Sequence, residues 1–123
     1  MIQPQSIVKI TDNSGGRFAR VFKVLGGSKR RYARIGDEVV LSVQTAEPRK
    51  TVKKKDVLRG VIVRQRQPFR RRDGSYIRFD ENAVVIVEKG KKEPRATRVF
   101  GPIPRELAER GYQRIVSMAP EVV

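Results

Sequence analysis

Hydrophobic and polar positions alternate with a period of two along most of the chain. Ile7 to Ile10, Phe18 to Leu25, Val39 to Thr45, Val57 to Val63 and Ala83 to Val87 each show this alternation with β-branched residues enriched, and each predicts a strand. The third is the clearest, with Val39, Leu41, Val43 and Thr45 on one face and Glu38, Ser42 and Gln44 on the other, so one face is core and one is wet. Phe18 and Phe22 lie in an apolar run and are assigned to the core. Turn signals separate the strands at Asp12-Asn13-Ser14-Gly15-Gly16, Gly26-Gly27-Ser28, Gly36-Asp37 and Asp73-Gly74. Several short strands at this spacing suggest a closed barrel, so the fold class is mainly β.

Two stretches depart from the pattern. Arg64 to Phe79 has Asp73-Gly74 near its middle and polar arms, which predicts a β-hairpin extended beyond the barrel, with Pro68 confined to an edge or bulge. After residue 98 the period changes. Pro104 suits a helix N1 position, Glu106 the first turn and Gly111 the stop, which predicts a helix over Pro104 to Arg110 with Ile103 and Leu107 on its buried side. A second short helix is expected from Tyr112 or Gln113 to Met118, ended by Pro120. With 123 residues, no repeat and no low-complexity linker, the chain is expected to form a single domain: a basic barrel with its hairpin (1–98; hairpin 64–79) and a short helical C-terminal segment (99–123).

Charge changes the picture most. Lys and Arg number 28 against 13 Asp and Glu, a net charge of +15, and this self-repulsion calls for a polyanionic partner. Residues 1–98 hold 25 of the basic and 10 of the acidic side chains, so the cationic footprint belongs to the barrel and the neutral C-terminal piece is expected to pack or to meet protein. No stretch approaches the roughly 20 apolar residues of a membrane-spanning helix, and no membrane partner is expected. There is no cysteine, which excludes disulfides and thiolate metal sites. Met1 to Ile10 lacks the order of a secretory signal or transit peptide, so the chain is expected to work where it is made.

Four basic clusters fall in predicted loops or the hairpin: Lys29-Arg30-Arg31 with Arg34, Arg49-Lys50 with Lys53-Lys54-Lys55, Arg64 and Arg66 with Arg70-Arg71-Arg72, and Lys89 to Arg98. One such cluster is ordinarily a solubilising face, but four around one barrel suit a folded RNA that surrounds the protein. If about eight phosphates were neutralised, affinity would fall with log salt at a slope near −7, taking the duplex DNA coefficient as an upper guide. Guanidinium groups grip phosphate bidentately and stack on bases, which makes the Arg-rich hairpin the segment expected deepest in RNA. Tyr32, Phe69 and Tyr76 are the candidate base-stacking aromatics. Catalysis finds little material: His and Cys are absent, and Asp12, Asp37, Asp56, Asp73 and Asp80 mostly adjoin turn residues, where capping explains them. Glu47, Asp80 and Glu81 lack the dense alternation of a calcium loop, and neither metal nor cofactor is expected.

The sequence resembles the universal large-subunit ribosomal proteins of the L-fourteen family, particularly the bacterial type. The resemblance runs from Met1-Ile2-Gln3-Pro4-Gln5 through Asp12-Asn13-Ser14-Gly15, Val24-Leu25-Gly26-Gly27-Ser28 and Ile35-Gly36-Asp37. It continues through Gly60-Val61-Ile62-Val63, Asp73-Gly74 and Ile77-Arg78-Phe79-Asp80, and closes with Val99-Phe100-Gly101-Pro102, Arg105-Glu106-Leu107 and Ala119-Pro120-Glu121-Val122. It implies a small five-stranded β-barrel with a protruding β-hairpin and short C-terminal helices, acting as a structural constituent of the large ribosomal subunit in a cytoplasmic ribosome. The implied partners are large-subunit rRNA, small-subunit rRNA at an intersubunit bridge, and a neighbouring large-subunit protein of the L-nineteen family. A ribosome-silencing factor is implied at positions matching Thr97, Arg98 and Arg114, although the family more often has Lys at the last. The expected rRNA-binding side chains are Arg17, Lys23, Lys29, Arg30, Arg31, Arg34, Arg49, Lys53, Lys54, Arg59, Arg64, Arg66, Arg70, Arg71, Arg72 and Arg78.

Two other classes compete with this reading. A free RNA chaperone would carry exposed aromatics on one sheet face and bind single strands without sequence preference. A phosphodiester-cleaving enzyme would need a carboxylate cluster for metal, or a general base beside a phosphate path.

Overall fold

The computed structural model describes residues 2–26, 31–50 and 52–123. Five strands close into a barrel: β1 (Ile7–Ile10), β2 (Gly16–Val24), β3 (Glu38–Ala46), β4 (Val57–Arg64) and, after the hairpin, the strand Ala83–Val87. The hairpin strands are β5 (Phe69–Arg70) and β6 (Tyr76–Ile77), which makes Ala83–Val87 β7. Neighbours around the barrel are antiparallel except β1 and β7, whose parallel pairing (Lys9 with Ala83, Ile10 with Val84) closes the ring. Closure removes the exposed sheet edge that a five-stranded open sheet would present.

The parallel seam is short, and a side chain prolongs it. Beyond Ile10, Thr11 N–H donates to the Val84 carbonyl at 3.0 Å, and Ile86 N–H then donates to the Asp12 carboxylate at 3.0 Å where a strand would offer a carbonyl. The other Asp12 oxygen accepts the Ser14 N–H and hydroxyl, so one buried carboxylate both turns the chain and continues the ladder. Burial pushes the Asp12 carboxyl above its ordinary pKa, against the opposing pull of the Ser14 and Ile86 hydrogen bonds.

Inside, side chains of differing size fill the small barrel. Leu41, Ile62 and Ile86 are fully buried, each worth about 1.5 to 3 kcal/mol relative to exposure. Gly60 makes room for Leu41, since a Cβ there would lie 3.0 Å from Leu41 Cδ2. All five residues of β7 are buried.

Strand positions match the alternation closely, but two facial assignments do not. Phe18 and Phe22 are 46% and 45% exposed, whereas Ala19, Val21 and Val24 fill the interior. Phe18, Arg20 and Phe22 alternate with inward Ala19 and Val21 and so face out, while register shifts at Gly16/Phe18, Phe18/Ala19 and Val21/Lys23 give the doubled exposed positions 17/18 and 22/23 and return Val24 to the core. Thr45 is likewise exposed, opposite Phe18 across those shifts, while Val39, Leu41 and Val43 point inward as expected.

The C-terminal segment packs on the barrel through Ile103, Leu107, Tyr112 and Ile115, all buried. Helix α1 spans Glu106–Glu109, shorter than Pro104 to Arg110, because the entry is made of tight turns in which Leu107 N–H reaches the Pro104 carbonyl at 3.4 Å and Ala108 N–H the Arg105 carbonyl at 3.1 Å. Gly111 stops it at φ +96°, with Gly111 N–H donating to the Ala108 carbonyl and Tyr112 N–H to Leu107, the paired bonds of a Schellman end. Helix α2 spans Gln113–Met118 and ends at Ala119, held extended before Pro120. A pairing absent from the sequence reading follows: β8 (Pro102–Ile103) runs parallel to β9 (Glu121–Val122) and returns the chain end to the start of α1.

Candidate nucleic-acid interface

Backbone-capping carboxylates shape the cationic turns. In Arg34-Ile35-Gly36-Asp37 the Asp37 carboxylate accepts the Arg34 N–H at 2.8 Å, and in Lys53-Lys54-Lys55-Asp56 the Asp56 carboxylate accepts the Lys53 N–H at 2.9 Å. At the hairpin tip Asp73 accepts the Ser75 N–H at 2.9 Å and its hydroxyl at 2.6 Å, and these bonds hold the Asp73 carboxyl below the usual range. Each acid fixes a backbone turn, and Arg34, Lys53 and Lys54 stand exposed around theirs.

The expected rRNA-binding cations divide by environment. Arg17, Lys23, Arg31, Arg34, Arg49, Lys53, Lys54, Arg66, Arg70, Arg72 and Arg78 are exposed, and Arg59 is half-buried. Arg17 lies 3.7 Å from Glu47 and Arg72 lies 3.8 Å from Glu109, solvent-exposed pairs that restrain a side chain little. Lys29 and Arg30 lie outside the described residues.

Arg64 and Arg71 are different: both are engaged inside the protein, contrary to the surface role expected of them. Arg64 ends β4 on an irregular register and turns inward, 3.0 Å from Glu81, donating to the Phe100 carbonyl at 2.9 Å. Gly101 leaves the space it occupies, since a Cβ there would lie 2.7 Å from its guanidinium. Burial lowers the Arg64 pKa from its ordinary value and Glu81 opposes that shift. Arg71 reaches back from the hairpin to Glu106, 2.8 Å away, and donates to the Val123 carbonyl at 2.6 Å.

Those Arg71 contacts change the reading of the hairpin. Its strands lie outside the barrel sheet, with Phe69 paired to Ile77 and Arg70 to Tyr76, and the turn runs through Gly74 at φ +90°. The paired part is far shorter than residues 64–79, and Arg71 pins it to the C-terminal segment. Phe69 is half-buried against the core and is removed from the stacking candidates, whereas Tyr32 and Tyr76 are exposed at 44% and 68%. Between hairpin and α1 lies a cleft of about 330 Å³ bordered by Arg70, Arg71, Arg72, Arg105 and Arg110, with Asp73, Glu106 and Glu109 interleaved.

At the barrel end, Asn13 organises the 97–98 loop. Its side-chain carbonyl accepts the N–H groups of Thr97 and Arg98 at 3.0 Å, and its amide donates to the Thr97 hydroxyl at 2.9 Å. Thr97 and Arg98 are exposed there, and Arg114 is exposed on α2. Two other cations of the Lys89 to Arg98 cluster are occupied: Lys92 donates to the Arg110 carbonyl at 2.7 Å and sits 5.3 Å from the Tyr112 ring centre, and Arg95 pairs with Glu88 at 3.2 Å.

Comparison with known families adds the deciding observation: the family model described as ribosomal protein L14p/L23e matches residues 1–123. The chain belongs to the ribosomal protein L14p/L23e family. It is therefore a structural protein of the large ribosomal subunit, resident in a ribosome, from a family that is structural and not enzymatic. Within this L14p/L23e chain the arginines do two kinds of work, Arg64 and Arg71 holding the protein together and the turn cations facing outward. Arg20, outside the expected set, is also exposed on β2.

Proposed function

We propose that the chain binds large-subunit rRNA through its turn cations and contributes to the intersubunit surface as one domain. The observation that carries this reading is the exposure of Arg31, Arg34, Arg49, Lys53 and Lys54 on loops of one closed barrel and of Arg66, Arg70 and Arg78 on and beside its hairpin, without an ion pair among the described residues. A family member surrounded by folded RNA has use for cations on several sides, whereas a single groove would gather them on one. The small-subunit rRNA at an intersubunit bridge and a neighbouring protein of the L-nineteen family are the further partners of this reading, in a cytoplasmic ribosome. The exposed Thr97, Arg98 and Arg114 support docking of a ribosome-silencing factor, with Asn13 presenting the first two.

The test is equilibrium binding to protein-free large-subunit rRNA across a salt series, paired with sedimentation of lysate. Tight binding whose logarithm falls steeply with log salt, together with comigration with large subunits, is the expected result. A slowly sedimenting free pool with shallow salt dependence would overturn the reading.

A further inference from the structure

The outer face of β2 carries an arrangement that the cationic turns do not explain. Because Ala19 and Val21 point into the barrel, Phe18, Arg20 and Phe22 stand outside at alternate positions. The neighbouring strand sets Lys9 opposite Phe18 and Ile7, 55% exposed, opposite Arg20. Ile7, Lys9, Phe18 and Arg66 border a groove of about 210 Å³ whose other side is the Asp80-Glu81-Asn82 loop. Glu81 is shared by Lys9 at 3.5 Å and Arg64 at 3.0 Å, and Arg20 and Arg66 have no ion pair among the described residues, so the face keeps a cationic excess.

We propose that this face is a base-stacking platform, on which unpaired RNA bases lie against the Phe18 and Phe22 rings while Arg20 holds a phosphate between them. The proposal rests on the rRNA-binding reading and deepens it. A phenylalanine ring offers phosphate nothing, but it offers any base a π-face, and stacking of this kind tolerates sequence. At a full strand rise of about 3.3 Å per residue, Phe18 and Phe22 would stand about 13 Å apart, an upper bound because β2 has register shifts between them. That is too far for two bases stacked on each other, and it suits two splayed nucleotides with a cation midway. Charge selects RNA over a protein partner: an apolar protein surface covering these rings would also desolvate Arg20 and Arg66, whereas RNA neutralises them. The groove beside Phe18 is where the edge of one such base would enter, flanked by Arg66 and the Asp80 carboxylate.

The experiment compares the full chain with Phe18→Leu, Phe22→Leu and the corresponding Trp variants in binding to protein-free large-subunit rRNA across a salt series. Leucine keeps the apolar bulk and removes the ring, and because both rings are half in water the thermal midpoint should not move. Each Leu variant is expected to bind about tenfold more weakly at every salt concentration with an unchanged slope, and Trp to restore binding. Arg20→Ala is expected to flatten the slope by about one. If the native chain binds steeply but the Leu variants match it, the platform is overturned and the cationic turns stand. If the Leu variants bind RNA normally yet fail to enter ribosomal particles, the face belongs to a protein and the proposal is overturned. If the native chain does not bind the RNA, both readings fall.

Discussion

Arg70, Arg71 and Arg72 are consecutive, and the structure assigns them opposite consequences when each is truncated to alanine. Arg71 has 12% of its side chain exposed and faces Glu106, 18% exposed, at 2.8 Å, with a second hydrogen bond to the Val123 carbonyl at 2.6 Å. A hydrogen bond to a charged group is worth about 1.5 to 3 kcal/mol, and removing one partner of a buried pair leaves the other charge uncompensated. Water can reach the Glu106 carboxylate once the guanidinium is gone, so the lower part of that range applies, about 2 kcal/mol. For a chain of this length that lowers the melting midpoint by about 8 °C. Arg70 is exposed and Arg72 is 93% exposed, with Glu109 at 3.8 Å, so their removal should leave the midpoint nearly unmoved. If both touch phosphate, the paired variant Arg70→Ala with Arg72→Ala reduces the slope of log affinity against log salt by about 1.4 to 1.8. Calorimetry gives the first quantity and rRNA binding across salt the second. An Arg71→Ala chain that melts like the native one but flattens the slope would refute the division between pinning and binding arginines.

Other perturbations test the barrel and its turns. Asp12→Asn places an amide N–H₂ against one of three donors, so urea unfolding should show a loss of about 1 to 3 kcal/mol, offset in part by relief of charge burial. Because the folded-state pKa of Asp12 is raised, its contribution is fully present below 3.8 and is lost as pH rises through the folded value; the native advantage over Asp12→Asn should therefore shrink from pH 4 to pH 7, and growth over that window would contradict the assignment. Gly60→Ala puts a methyl 3.0 Å from Leu41 Cδ2 and 3.3 Å from the Val85 carbonyl, and should destabilise by about 1 kcal/mol in urea, a stabilised variant showing instead that the barrel interior has slack. Asp73, with its pKa lowered by Ser75, gives a contribution present above 3.8 and lost as pH falls through the folded value; carboxyl NMR should place its midpoint below that of Asp73 in a Ser75→Ala chain, and equal midpoints would remove the hydroxyl from the account.

The barrel was readable because its inward positions obey a simple rule. Val39, Leu41 and Val43 alternate without interruption, and β4 and β7 carry the continuous Val and Ile runs of strands buried on both sides. The end of α1 was equally plain, since Gly111 takes a positive φ that L side chains resist. The β8 and β9 pairing was not visible, because two residues on each strand give no period to detect. Its partners are also distant in sequence, brought together by tertiary contacts such as the burial of Ile103 and the hydrogen bonds of Arg71 and Arg105 to the Val123 carbonyl.

The functional face was harder, because charge and apolarity each mean two things. An arginine in a basic cluster looks the same whether it meets phosphate or an internal carboxylate, and only tertiary partners separated Arg64 and Arg71 from Arg66 and Arg70. The glutamates that decide the matter, Glu81 and Glu106, lie 17 and 35 residues from their arginines, beyond any local pattern. An exposed phenylalanine is hidden in the same way. Phe18 and Phe22 share an apolar run with Val21 and Val24, and a strand without bulges would put them with one or the other by parity alone. The register shifts in β2 uncouple side-chain direction from sequence spacing, allowing three cations and two rings to face outward from one nine-residue strand while its small residues still fill the barrel. Between Phe18 and Phe22 the alternation holds, so both rings follow Arg20 outward, and the shift at Val21/Lys23 is what returns Val24 to the core after two exposed residues.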